Sequence, residues 1–273
     1  MRYFHVFALL CLMLVVGCAS KPRDREMTEA RHYKEASELL ERKSWLTAID
    51  SLEEIEARFP YGDYAEQVQL DLIHARFKSL DYPEAVAQAD RFIRTYPTHE
   101  HLDYALYMKG LANFYLELGL FDRLSETDKA ARDLAAMRDA FADFDQLIQR
   151  FPESPFAADA RQRMVHIRNL LAEQELRAAN YYARRHAFIA AANRAQFVVR
   201  HYQESPAVPE ALAILSKSYE ALEQPELARK SQAVLAANWP DSPYLDDDGN
   251  VTIEWWPRDE RRWLRLITFD LLK

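Results

Sequence analysis

Cysteine is nearly missing from this 273-residue chain: Cys11 and Cys18 are the only two, both at its beginning. The body of the protein therefore holds no disulfide, even in an oxidising compartment. Glycine is almost as scarce, at five residues, and long β-branched runs are few, whereas alanine is abundant; this composition favours helices. A surplus of positive charge is lacking as well. With a formal net charge of −8, no sequence-wide basic field exists to hold a phosphate backbone, which argues against nucleic acid as a partner. Motifs that carry chemistry are also missing: there is no Gly-rich phosphate loop, no HExxH and no GxSxG. Paired carboxylates such as Glu53-Glu54 recur only on polar helix faces. His99 and His101 flank Glu100 without the third ligand that zinc needs. Asp246 to Asn250 suggests a calcium loop, but Tyr244 and Trp255 fall where its first and last ligands belong, so it reads as a turn. No metal site, no cofactor and no enzyme are expected.

What is present begins with an apolar leader. After Arg2, residues Tyr3 to Val16 form an apolar run broken only by His5, short for a spanning helix but suited to a signal peptide. It ends in Leu14-Val15-Val16-Gly17-Cys18, small and apolar residues directly before a cysteine, as in the lipobox of bacterial lipoprotein signals. Residues 1–17 are read as the cleaved signal and 18–27 as lipidated Cys18 with a polar tether. The expected group is a covalent N-acyl diacylglyceryl lipid, whose several chains anchor stably. Ala19 and Ser20 follow the cysteine, with no Asp where inner-membrane lipoproteins usually carry one. By that resemblance the address is the inner leaflet of an outer membrane, on its periplasmic side.

The body repeats. Five segments end alike, at Arg58-Phe59-Pro60, Thr95-Tyr96-Pro97, Arg150-Phe151-Pro152, His201-Tyr202-Gln203 and Asn238-Trp239-Pro240. Eleven residues before each aromatic stands Ala48, Ala85, Ala140, Ala191 or Ala228, and four before it Ile55, Phe92, Leu147, Val198 or Leu235. Spacings of seven and four put these positions on one helix face. Alanine lets a neighbouring helix approach, and proline stops the helix. This is the second helix of a tetratricopeptide unit. First helices are fainter: Leu212, Leu215, Ser216 and Tyr219 fit the pattern, and Ala36 and Gly110 take its small place. The fold expected is all-α, a tetratricopeptide solenoid of five helix pairs in a right-handed superhelix, plus a C-terminal helix. Intervals between the aromatics are 37, 55, 51 and 37 residues. The excess in the third repeat falls around Phe121 to Lys129. That in the fourth lengthens its helices, since Arg161 to Ala183 is helical in composition throughout.

Residues 58 to 114 carry a more specific likeness. Within RFPYGDYAEQVQLDLIHARFKSLDYPEAVAQADRFIRTYPTHEHLDYALYMKGLANF, the runs YGDYAEQVQLDLI, DRFIR and PTH go well beyond a generic repeat. The chain resembles the BamD, or ComL, family of outer membrane assembly factors over roughly residues 1 to 240. The resemblance implies a lipoprotein subunit of the machine that inserts β-barrel proteins. Its N-terminal repeats 1–3, residues 28–152, would receive the C-terminal strand signal of unfolded barrel proteins. Repeats 4 and 5, residues 153–240, would dock the periplasmic domains of a BamA-type barrel and bind other lipoproteins of the complex. The alternative is a tetratricopeptide lipoprotein adaptor that recruits cell-wall enzymes.

A barrel strand offers alternating aromatics and a terminal carboxylate, so its receptor needs aromatic walls and a cation. Phe59, Tyr61, Tyr64 and Tyr96 are the candidate walls, and Arg58, Arg91 and Arg94 the candidate cations. Phe59 and Tyr96 also hold repeat positions that commonly serve packing, whereas Tyr61, Gly62 and Tyr64 sit in a turn. Gly62 allows either close backbone approach or a positive φ. The family pattern has a basic residue beside the Trp at position 45, where this chain has Leu46. In the tail, 241–273, a linker precedes an amphipathic helix from Arg258 to Lys273. It could lie on an anionic membrane surface, dock a partner, or cap the last repeat, as solenoid ends require.

Overall fold

The computed structural model describes residues 28–117 and 134–257. The signal, Cys18 and its tether, the segment around Phe121 to Lys129, and the helix expected from Arg258 lie outside the described residues. Among the described residues ten α-helices follow in chain order: α1 (Glu29–Glu41), α2 (Trp45–Arg58), α3 (Ala65–Lys78), α4 (Tyr82–Thr95), α5 (Leu102–Glu117), α6 (Ala135–Arg150), α7 (Ala157–Arg184), α8 (Phe188–His201), α9 (Val208–Ala221) and α10 (Pro225–Asn238). Among the described residues there is no strand, only an isolated antiparallel bridge between Leu245 and Val251. The helices form two compact units that part between Asp81 and Tyr82.

In the first unit, α2 packs on both α1 and α3. Its core is Ala36, Leu52, Ile55, Val68 and Leu72, flanked by Tyr33, Phe59 and Tyr64. In the second unit each helix from α4 to α10 packs on the next, and α7 also reaches α9. The first helices of repeats 4 and 5 thus touch, as tetratricopeptide stacking requires. α6 packs on α7 across the boundary expected at 152–153, so packing is continuous there. The fourth repeat grows as expected: α7 runs for 28 residues where α8 has 14.

The repeat ruler is a packing rule. All five alanines of the second helices are buried, as are Ile55, Phe92, Leu147, Val198 and Leu235. Opposite them stand the small residues of the first helices. Ser216 is fully buried, and its hydroxyl donates to the Ala228 carbonyl at 3.2 Å. A Cβ added at Gly110 would lie 2.6 Å from the Phe144 ring.

Among the described residues, the turns inside the repeats are closed without glycine. Lys43, Leu80, His186 and Glu223 adopt φ between 58° and 68°. Around each, the next residue donates back five positions, as Ser44 does to Leu39 and Gln224 to Tyr219, both at 2.9 Å. This is the left-handed helix stop that glycine normally supplies. An L-residue there costs about 1–2 kcal/mol. Glu223→Gly is accordingly expected to raise stability by about 1 kcal/mol, part of the relief being lost to the freer unfolded chain. A higher urea midpoint would show it; an unchanged or lower one would exclude the strain.

Candidate functional site

The turns that follow the second helices share one backbone scheme. In all five, the aromatic that ends the second helix accepts from the N–H three residues on, and the carbonyl of that residue accepts from a further N–H three on. Gly62, His99, Ser154, Ser205 and Ser242 occupy the middle place, with N···O distances of 2.8 to 3.2 Å. At four turns this middle residue also caps the N–H two positions later with its own side chain. Ser154, Ser205 and Ser242 do so through Oγ at 3.2 to 3.3 Å, and His99 through Nδ1 at 3.0 Å. At the three turns that lead into a helix, after Tyr96, Phe151 and Tyr202, this satisfies a free donor at the helix start. It also gives His99 a structural role as a cap. The turn after Tyr202 has the same form without a proline, so the turn bonds, not the proline alone, stop the helix.

The first turn is the exception, and five of the candidate residues lie in it. Gly62 has no side chain to cap with. Its part is taken by Glu29 of α1, whose carboxylate accepts from the N–H groups of Asp63 at 3.0 Å and Tyr64 at 2.9 Å. A Cβ at position 62 would lie 2.1 Å from Glu29 Oε1. Among the described residues only Gly249 is a glycine with positive φ, so of the two readings of Gly62, close approach holds and positive φ does not. What approaches is the chain's own carboxylate.

The rings around this turn divide by burial. Tyr64 stacks on Tyr33 of α1, with centroids 4.5 Å apart, and Tyr33 donates to Asp71 at 2.8 Å. Burial, and then the Asp71 charge, push the Tyr33 phenol well above its ordinary pKa. The same device recurs in the second unit. There Phe156 stacks on Tyr107 at 4.7 Å, and Tyr107 donates to Asp159 at 2.7 Å. Phe59 and Tyr64 are thus half-buried packing residues, while Tyr61 is 99% exposed. Arg58 is exposed beside them, 3.0 Å from His32 Nε2 and 3.7 Å from Glu54.

Arg91, Arg94 and Tyr96 belong to the second unit, at the end of α4. Arg91 hydrogen-bonds Gln88, whereas Arg94 is exposed and pairs with no described residue. Tyr96 packs on Phe92 at 5.2 Å, again a structural contact. Each unit gathers its own candidates, five in the first and three in the second.

Set beside known proteins, residues 25–235 match the model of the YfiO family, described as outer membrane lipoprotein. The outer membrane protein assembly factor BamD of Vibrio cholerae is 39% identical over 239 residues, covering 87% of this chain and 99% of that protein. The Neisseria meningitidis serogroup B protein of the same name is 40% identical, covering 91% and 93%. That of Xylella fastidiosa is 37% identical, covering 88% and 84%.

The chain belongs to the BamD family. BamD membership associates it with the outer membrane and bears out the resemblance drawn from residues 58 to 114. The family-model match ends at residue 235, before the segment that closes the second unit of this BamD-family chain. Here Val251 and Ile253 are buried against the core of α7 to α10, with Trp255 and Trp256 packed beside them. Trp256 stacks on Phe188 at 5.6 Å. Residues 251–256 therefore cover the last repeats, while the helix to which the three readings of the tail apply lies outside the described residues. Asp246 Oδ1 accepts from the N–H groups of Asp248 and Asn250, at 3.1 and 2.7 Å, and closes the expected turn. Leu46, which departs from the family pattern, is 71% exposed and supplies no cation.

Proposed function

We propose that this chain is an outer membrane protein assembly factor: a binding scaffold, not an enzyme, held by lipid on Cys18 at the periplasmic face of the outer membrane. Its N-terminal repeats, 28–152, receive the C-terminal signal of unfolded β-barrel proteins. Repeats 4 and 5, 153–240, dock the periplasmic domains of a BamA-type barrel and further lipoproteins of the complex. The observation that supports this best is Tyr61, 99% exposed on a turn pinned from beneath by Glu29. A large ring held in solvent by a rigid support has little conformational freedom left to lose on binding. Within this reading Arg58 is the cation nearest to it along the chain, and Gly62 admits the support. Phe59 and Tyr64 shape the turn rather than touch the ligand. Arg91, Arg94 and Tyr96 offer a comparable surface at the second turn, with Arg94 the exposed cation.

The test is affinity purification of the tagged chain from detergent-solubilised outer membranes, followed by mass spectrometry. A barrel with periplasmic domains, recovered near one-to-one, supports the reading. Peptidoglycan hydrolases without such a barrel would replace it with the cell-wall adaptor. In addition, Tyr61→Ala is expected to weaken binding of a barrel C-terminal peptide by more than roughly tenfold, the scale of an aromatic anchor. Its thermal midpoint should stay at the wild-type value, because the ring covers nothing. Unchanged peptide affinity would remove Tyr61 from the receptor surface.

A further inference from the structure

A cavity of about 460 Å³ opens in the second unit between α7 and α9, lined by Glu173, Leu176, Arg177, Asn180, Tyr181, Arg184 and Glu210. Most of its polar groups are already matched. Glu210 accepts from the Asn180 side-chain N–H at 2.9 Å and, with its other oxygen, from the Tyr244 hydroxyl at 2.9 Å. Burial, then that bond to Glu210, push the Tyr244 phenol up to about 12. Glu173 pairs with Arg177 at 3.3 Å. Asn180 and Arg184 stand apart from these pairs. The Asn180 carbonyl oxygen, Oδ1, is buried and has no donor. The Arg184 guanidinium, 5.0 Å above the Trp255 ring, faces no carboxylate among the described residues. Tyr181, half in solvent, stands between them on the helix, with the Arg185 guanidinium 4.6 Å from its ring.

These two groups are complementary to one kind of ligand. A buried acceptor without a donor asks for an N–H, and a guanidinium over an indole asks for a carboxylate, which it holds with two parallel bonds. Asn180 and Arg184 are four residues apart on α7, about 6 Å along the axis. An extended chain covers that span in roughly two residues, the separation between a main-chain amide and a neighbouring acidic side chain. Leu176 supplies an apolar floor and Tyr181 a wall.

We propose that the cleft between α7 and α9 is a binding site for an extended peptide segment bearing a carboxylate, its amide on Asn180 Oδ1 and its carboxylate on Arg184. The site is separate from the first inter-repeat turn and does not depend on barrel signals binding there. Trp255, which carries no repeat function, takes its place as the platform that orients Arg184.

Fluorescence anisotropy on the full mature chain in detergent tests it. The probe is a labelled ten-residue peptide of alternating aspartate and threonine, compared with its asparagine–threonine counterpart. The acidic peptide should bind saturably and at least tenfold tighter than the neutral one. Arg184→Gln should weaken it roughly tenfold, the scale of a lost charge-assisted bond, and Asn180→Ala by a similar factor. Arg31→Gln, an exposed cation on α1 in the first unit, should leave it unchanged. Equal affinity in Arg184→Gln and wild type, equal loss in Arg31→Gln, or no preference for the acidic peptide would each overturn the site. Should Asn180→Ala not fold, the exposed Arg184→Gln decides alone. Loss of Tyr61-dependent barrel-peptide binding would leave this result untouched.

Discussion

Lys109→Met is expected to cost about 3–5 kcal/mol at neutral pH, the scale for breaking a buried ion pair by removing one partner. Lys109 Nζ lies 2.8 Å from Asp90 and 2.9 Å from Asp143, joining α4, α5 and α6. The Asp143 side chain is only 7% exposed and takes its other bond from Asn113 at 2.8 Å. Burial works against the ammonium, but hydrogen bonds to both carboxylates outweigh it, and Lys109 titrates above its ordinary value. Burial also holds Asp143 above the ordinary carboxylate range, against the pull of Lys109. The two shifts pull apart in meaning: the lysine gains from the contact, while the aspartate does not recover all of its lost hydration. The geometry reconciles them, since one ammonium is shared between two carboxylates.

The signs then fix the pH dependence. Lys109 contributes stability that is full below the unfolded lysine value, near 10.4, and is lost as pH rises through its higher folded value. In the methionine variant Asp143 keeps only Asn113, so its folded pKa rises further. A carboxylate whose folded pKa lies above the unfolded one favours folding when protonated. The deficit of the variant should therefore be largest near pH 7 and shrink as pH falls toward about 4. Urea unfolding of wild type and variant at both pH values, following the second unit, measures this. A deficit below about 1 kcal/mol at pH 7, or one that ignores pH, would show that the triad is not the clamp described. Adding Asp143→Asn to Lys109→Met should restore part of the loss.

The second large effect belongs to Gly62→Val. The valine would occupy the space of the Glu29 carboxylate. Because that carboxylate is the far end of a flexible side chain, the cost is not a clash. It is the loss of the two bonds to Asp63 and Tyr64, comparable to removing a helix cap, about 1–2 kcal/mol. The far-UV helical signal should persist while the first unit unfolds at lower urea. Binding of a barrel C-terminal peptide should weaken, since the turn that presents Tyr61 loses its support. A double-mutant cycle isolates the mechanism: Glu29→Ala should destabilise wild type but add almost nothing to Gly62→Val. Fully additive losses would mean that glycine serves some purpose other than admitting Glu29.

The repeat was legible because its signal is short-range and repeated. Alanine, a large apolar residue and an aromatic at fixed spacing report one helix face, and all five copies are buried as that face requires. Family membership was legible from residues 58 to 114 for a similar reason, as a contiguous run. The candidate site was only partly legible. Tyr61, Gly62 and Tyr64 stand together in sequence as in space, yet Tyr64 packs on Tyr33, 31 positions earlier. Glu29 carries no such mark, because a glutamate at the start of a helix is ordinary. Nothing local marks it as the cap of a turn more than thirty residues away. A weak signal did exist: four of the five turns carry a serine or histidine at the capping place, and Gly62 is the odd one.

The sequence by itself determined that this chain is built of paired helices, where each second helix stops, and to which family it belongs. Those properties rest on periodicity and on contiguous motifs, which a linear chain displays directly. Tertiary structure alone decided which rings are walls and which are mortar, what fills the space above Gly62, and that Asn180 and Arg184 line one cleft with Glu210. Burial and pairing depend on side chains brought together from distant helices, and that proximity is not encoded at any single position of the sequence.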